Sequence, residues 1–190
     1  MIKENEIINI QNFLSYEDFY SLKTFAKELS WTFTGKASST MAEWNLNKPI
    51  YSADKEPLTN YDLILPIYRI ALDKLNKQYN VFIKPYDIYF NAYKFGNEME
   101  IHTDKITKPG FNRTIIIYLT DDWLTKFHGE TVFYDEKQQD IRKAVIPYSN
   151  SVVIFDSRIP HSSVPISKFC LENRIILVYQ CEIQPLNNID

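Results

Sequence analysis

From residue 81 to residue 181 the chain reads as a run of short strands, and this run limits its possible folds more than any other feature. Residues 88–95 alternate, with Tyr89, Asn91, Tyr93 and Phe95 on one face, which is the period of a strand. Apolar runs at 113–119, 131–134, 141–146, 151–155 and 174–181 follow, separated by turn residues. Short strands at this spacing predict a sandwich or jelly roll. Upstream the period is helical. Ser15 can cap a helix, with Asp18 three residues on and Leu14 placed to staple against Phe19. Phe19, Leu22, Phe25, Ala26 and Leu29 then mark one face. A second helix is predicted over about 59–79, with Ile64, Ile67, Tyr68, Ala71, Leu72 and Leu75 as its apolar stripe. Pro66 either kinks that helix or marks its true start. Both stripes read as faces packed against a sheet. Residues 34–57, rich in Ser, Thr, Lys and Asn around Trp44 and Tyr51, read as a long loop. A polar loop of that length carrying two aromatics is expected to act as a lid.

Composition adds bounds. At 190 residues and 22.5 kDa the chain suits a single domain, 1–190, with helical support over 1–80 and a β core over 81–185. Its 45% apolar content argues against disorder. A net charge of −3 and a pI near 5.7 give no footprint for nucleic acid. No stretch approaches the ~20 apolar residues of a membrane span, and the first residues lack the apolar core of a signal peptide. Two cysteines, Cys170 and Cys181, make no disulfide framework, so a cytoplasmic location is expected. Oligomeric state is not legible.

The chemistry concentrates in His102-Thr103-Asp104 and His161. Two imidazoles and one carboxylate hold non-haem Fe(II) on one face and leave other positions open. Residues two apart on a strand point the same way, so His102 and Asp104 can reach one ion from one strand end. His161 must come from a distant strand. The chain has three histidines, and two fall in this pattern. A lone H-x-D also arises by chance, as a surface histidine beside a turn aspartate.

Further residues extend the pattern in order. Tyr93-Lys94-Phe95-Gly96 precedes His102; Arg113-Thr114-Ile115-Ile116-Ile117-Tyr118-Leu119-Thr120 leads into Asp122-Trp123; His128-Gly129-Glu130-Thr131-Val132-Phe133 follows; Ile146-Pro147 and Val152-Val153-Ile154-Phe155 precede His161. This set resembles the Fe(II)/2-oxoglutarate-dependent dioxygenases, and within them the prolyl-4-hydroxylase-like branch. The resemblance covers about half the chain, from Tyr93 to Cys181. It implies a double-stranded β-helix, a jelly roll of the cupin type buttressed by N-terminal helices, with the metal ligands His102, Asp104 and His161 at one open end. It implies Fe(II) and 2-oxoglutarate, with ascorbate as a stimulant, and O2 as co-reactant.

An anionic cosubstrate needs a cationic anchor. Arg174 is the candidate, since its planar fork suits a carboxylate and it shares a strand face with Ile176, Val178 and Gln180. A buried charge in an apolar interior calls for an anion. By resemblance the Tyr118 hydroxyl meets the same far carboxylate, and Tyr93 lies nearer the metal end. His128 reads as a non-ligand. Arg158, Asn91 and Trp44 are candidate substrate residues, Arg158 having a surface ion pair as its alternative. The resemblance implies hydroxylation of a prolyl residue, an amino acid or a small-metabolite C–H bond, with release of succinate and CO2; retention of Asp104 favours this over halogenation. Three alternatives share part of the pattern: a nucleic-acid demethylase, a cupin-type metal enzyme without 2-oxoglutarate, and a non-catalytic barrel that binds a partner.

Overall fold

The computed structural model describes residues 3–37, 42–52, 66–97, 99–108 and 110–186, with 33–37, 42–47, 51 and 52 described by backbone alone. Among the described residues eleven strands and two α-helices follow in order: β1 (Ile7–Ile10), α1 (Tyr16–Glu28), β2 (Thr32–Ala37), β3 (Ala42–Ser52), α2 (Pro66–Tyr79), β4 (Val81–Tyr93), β5 (Met99–His102), β6 (Asn112–Tyr118), β7 (Thr131–Tyr134), β8 (Ile141–Val145), β9 (Ser151–Asp156), β10 (His161–Ser163) and β11 (Arg174–Pro185). The strands form a major antiparallel sheet, ordered β1-β9-β6-β11-β4-β3-β2, and a minor one, ordered β5-β10-β7-β8. This is the expected jelly-roll architecture.

The major sheet is apolar on both sides, which explains its near-continuous hydrophobic strands. Alternate residues sort into two cores. Ile115, Ile117, Val152, Ile154, Ile175, Leu177 and Tyr179 join Phe19, Leu22, Ala26, Leu72 and Leu75 of the helices in one. Ile116, Tyr118, Val153, Phe155, Ile176 and Val178 face inward and meet Phe133 and Val145 of the minor sheet in the other. A period of two therefore assigns each strand residue to helix support or to the barrel interior.

Both helices match their sequence signals. The Ser15 side chain accepts from the Asp18 amide at 3.1 Å, and Phe19, Leu22 and Ala26 are buried. Pro66 marks the start of α2, where its missing N–H costs nothing; residues 59–65 of the expected helix lie outside the described residues. The expected loop over 34–57 is corrected at 34–37 and 42–52, while 38–41 and 53–57 lie outside the described residues. β2 and β3 pair as a hairpin from Thr32↔Asn47 to Ala37↔Ala42, and β3 continues onto β4 from Leu46↔Ala92 to Ser52↔Asp87. The polar composition that suggests a loop also suits strands at a sheet edge, where charge and proline discourage further pairing. Strand β4 begins at Val81, seven residues before its clear alternation. Pro85 breaks the pattern there, and a register shift in the pairing with β11 accommodates it.

A charged cluster fixes the turn that leads into β10. Asp156 at the end of β9 is buried and accepts from the Arg158 amide, Nε and Nη2 at 3.0, 2.9 and 2.7 Å. Arg113, its cross-strand partner on β6, brings Nη1 to 3.6 Å. Burial by itself would raise the Asp156 carboxyl, but the Arg158 hydrogen bonds and the Arg113 charge outweigh it and hold the group below the ordinary carboxylate range. A carboxyl depressed in the folded state contributes stability above the unfolded pKa of about 3.9 and loses it as pH falls through the folded value. Asp156→Ala leaves a buried guanidinium without its carboxylate and should cost about 3–5 kcal/mol in urea unfolding at pH 7. The gap between variant and parent should narrow as the same unfolding is repeated toward pH 3.

Candidate metal centre and cosubstrate site

The ligand set is assembled by the minor sheet. His102 is the last residue of β5 and His161 the first of β10, and the two are direct antiparallel partners. Cross-strand partners lie close enough for their side chains to meet, and the imidazole centroids are 4.3 Å apart. Asp104 follows β5, in a segment pinned by its own amide donating to Ser157 O at 3.0 Å and by Tyr86 Oη donating to Lys105 O at 2.6 Å. The ligand atoms of His102, Asp104 and His161 all lie within 4.8 Å of one another. His161 Nε2 is 3.6 Å from Asp104 Oδ2, and His102 Nε2 is 3.9 Å from Asp104 Oδ1.

The surroundings favour ligation. Each Nδ1–H donates to a backbone carbonyl, His102 to Glu100 at 2.8 Å and His161 to Ile159 at 3.0 Å. That arrangement fixes the tautomer and turns both Nε2 lone pairs toward Asp104. Burial lowers the His161 pKa against the opposing pull of Asp104, so its imidazole is neutral near pH 7, the form that binds a metal. The side chains of Asp104 and His161 keep 7% and 6% of their surface, whereas that of His102 keeps 35%, so the centre opens on the His102 side.

Arg174 stands at the other end of the cleft. It is 2% exposed. Its Nη2 donates to Thr131 Oγ1 at 2.8 Å, and that hydroxyl shares a 2.7 Å hydrogen bond with Tyr118 Oη. The guanidinium carbon lies 5.2 Å from the Tyr93 ring and 5.7 Å from the Tyr118 ring. Its Nε and Nη1 meet no hydrogen-bond partner among the described residues. Buried cationic donors in that state are expensive, and an anion in the cleft would offset the cost, a carboxylate having the Nη1/Nη2 edge or the Nε/Nη2 edge of the guanidinium to engage. The same cleft is lined by both histidines, Asp104 and Arg174, with Ile176 and Val178 between them. The donor set thus fits Fe(II), and the Arg174 end fits the distal carboxylate of 2-oxoglutarate.

Not every sequence candidate comes to the cleft. Asn91 does, and its Nδ2 donates to Tyr93 Oη at 2.9 Å. Tyr118 reaches it through Thr131. Trp44 sits on β3 opposite Gly35, with its side chain outside the described residues. Arg158 is committed to Asp156 and to Glu4, 3.4 Å from its Nη2, and is absent from the lining. Its geometry is that of the surface ion pair that the sequence also offered. His128 lies in a turn with φ +57°, exposed and apart from the other two histidines. Sequence reasoning overlooked Thr131, Thr114 and Gln180. The latter two donate to Asp104 Oδ2 at 2.5 Å and Oδ1 at 3.0 Å. Their signal was strand periodicity, since Thr114 shares a face with Tyr118 and Gln180 with Arg174.

Comparison with known proteins agrees with this arrangement. The family model of the 2OG-Fe(II) oxygenase superfamily matches residues 88–179, the segment that holds His102, Asp104, His161 and Arg174. Curated protein sequences give no match. Among solved structures, a 2OG-Fe(II) oxygenase family oxidoreductase from Burkholderia pseudomallei is similar with a TM-score of 0.68 at 13% identity, over 93% of this chain and 84% of that one. A Pseudomonas putida prolyl-4-hydroxylase gives 0.62 at 16%, over 93% and 92%. A prolyl hydroxylase from Trichoplax adhaerens, solved with a hypoxia inducible factor peptide fragment, gives 0.62 at 16%, over 94% and 84%. At such identities the likeness establishes the fold, while the matched segment and the converging triad carry the chemistry. The match to the 2OG-Fe(II) oxygenase superfamily over residues 88–179, with the His-Asp-His set inside it, marks the protein as a 2-oxoglutarate-dependent dioxygenase.

Proposed function

We propose that this enzyme hydroxylates an aliphatic C–H bond, with a peptidyl proline as the first substrate class to test and free amino acids or small metabolites after it. The observation that carries the reading is Arg174, a buried cation with two unsatisfied donors in the cleft that also holds the His-Asp-His set. In this reading His102, Asp104 and His161 hold Fe(II), and Arg174 receives the far carboxylate of 2-oxoglutarate, with the Thr131 hydroxyl fixed between Arg174 and Tyr118. Bound Fe(II) and 2-oxoglutarate supply oxygen activation coupled to decarboxylation of the cosubstrate to succinate and CO2. The chain's own part is to bind and orient. Ile176 and Val178 form an apolar floor that excludes water beside the cosubstrate, and the more open His102 side admits the substrate. Asn91 and the hairpin that carries Trp44 are the nearest candidates for substrate contact. Two solved relatives are prolyl hydroxylases, one of them with a bound peptide, which supports starting with peptides. The described residues include no helix long and apolar enough to cross a membrane.

The direct assay is succinate release from purified protein with Fe(II), 2-oxoglutarate and ascorbate, first alone and then with a panel of proline-containing peptides. Turnover without peptide and its stimulation by one of them are the expected results; no succinate under either condition would refute the reading. Alanine at His102, Asp104 or His161 should each abolish divalent-metal binding in calorimetry while leaving the unfolding transition in place, because the ligands line an open cleft.

Arg174→Ala should raise the 2-oxoglutarate requirement at least about tenfold, since a charge-assisted hydrogen bond contributes roughly 1.5–3 kcal/mol. Arg174→Lys should be milder, because the charge survives and the fork does not. Tyr118→Phe should cost less again, as it removes a neutral hydroxyl that acts through Thr131. Metal affinity should be unchanged in all three, and an unaltered 2-oxoglutarate requirement in Arg174→Ala would remove it from the anchor.

A further inference from the structure

The inner face of β11 runs Arg174, Ile176, Val178, Gln180, and the last of these has no part in the chemistry described so far. An amide at the end of an apolar stripe, itself only 9% exposed, needs a reason to be there. Its Nε2 donates to Asp104 Oδ1 at 3.0 Å and lies 3.5 Å from Tyr89 Oη. The other carboxylate oxygen, Oδ2, accepts from Thr114 Oγ1 at 2.5 Å, and that hydroxyl lies 3.1 Å from Ser157 Oγ. Gln180 and Thr114 are direct cross-strand partners on β11 and β6. One antiparallel pair thus takes hold of both oxygens of one carboxylate. Beside Gln180 the pairing of β11 with β4 slips, Gln180 standing opposite Asp87 and Cys181 opposite Pro85. The extra residue of that bulge is Tyr86, on β4.

We propose that Gln180, acting with Thr114 as a cross-strand clamp, is a positioning residue that holds Asp104 as a one-oxygen ligand to the metal. The proposal rests on the metal-site reading given above. A carboxylate with each oxygen already accepting a hydrogen bond has its rotation about the Cβ–Cγ bond fixed and has fewer lone pairs free for the ion. An unclamped Asp104 can swing and present both oxygens, occupying a position that the cosubstrate requires. β11 also ties the two ends of the site together. Arg174 and Gln180 are six residues apart on one face, roughly 20 Å at ~3.3 Å per residue. The strand that carries the cosubstrate anchor therefore also sets the orientation of the metal carboxylate, with Ile176 and Val178 as the spacer.

The test uses Mn(II), a divalent ion that holds its oxidation state in air, on the full chain. Gln180→Met keeps the length of the side chain and removes the donor. Its Mn(II) affinity should fall about tenfold, the lower end of what loss of a hydrogen bond to a metal ligand costs. Its Mn(II) electron paramagnetic resonance spectrum should change in zero-field splitting, because the carboxylate geometry at the ion is altered. A merely structural role for Gln180 would shift the unfolding midpoint and leave the spectrum of the bound ion as in the parent. Gln180→Asn, whose amide is retracted by one methylene, should show the same loss and serves if the methionine variant does not fold. Parent-like affinity and spectrum in either folded variant overturn the clamp. His102→Ala is measured alongside: if it too binds Mn(II) like the parent, the metal-site reading itself has failed, whereas its loss of binding beside an unaffected Gln180 variant refutes the clamp alone.

Discussion

Arg174 places a permanent cation between the rings of Tyr93 and Tyr118, inside a barrel whose other inward residues are mostly apolar, and the cleft is arranged around that charge. Desolvating a guanidinium costs several kcal/mol, and one hydroxyl partner with two aromatic faces offsets only part of it. The remaining donors point to an anion, and the triad sits in the same cleft. Such a charge can be held in place because β11 lies inside the major sheet, paired with β4 on one side and β6 on the other. A cation on an edge strand would relax toward solvent.

The metal end depends on a second constraint, the delivery of His161. The turn before it has the carboxylate of Asp156 at its base, tied to Arg158 within the turn and to Arg113 across the strand. β10 has only three residues, too few to define its own register, yet it is paired on both sides by β5 and β7. The turn and the two neighbours together set His161 opposite His102. A buried ion pair thus bears on the candidate metal centre by fixing where His161 emerges.

How far these features can be read from residues alone varies with their physical origin. Helix α1 was legible because capping and the spacing of its apolar face are local. The candidate ligands and Arg174, which the structure brings to one cleft, stood out in the sequence because few residue types can do such chemistry. The hairpin of β2 and β3 was not, since its polar sequence looks like a loop until β4 supplies the edge it pairs with. Strands β5 and β10 were too short to show a period. Arg158 had two readings, a substrate contact near His161 or a surface ion pair, and only the structure shows it turned to Asp156 and Glu4. Gln180 and Thr114 are ordinary residue types whose role appears only when Asp104 is seen between them.

By itself the sequence determined the mainly β architecture with two supporting helices, and it picked out the candidate metal-ligand set and a cation that the structure brings to the same cleft, because strand period, helix capping and ligand chemistry are properties of short segments. The tertiary structure decided which strands are neighbours, and through this what each polar side chain meets. The partners of Asp104 come from β6 and β11, those of Arg174 and Tyr118 from β7, and the partner of His161 from β5. Those pairings join residues far apart in the chain, and their register depends on packing both faces of the major sheet at once, a condition no local segment contains.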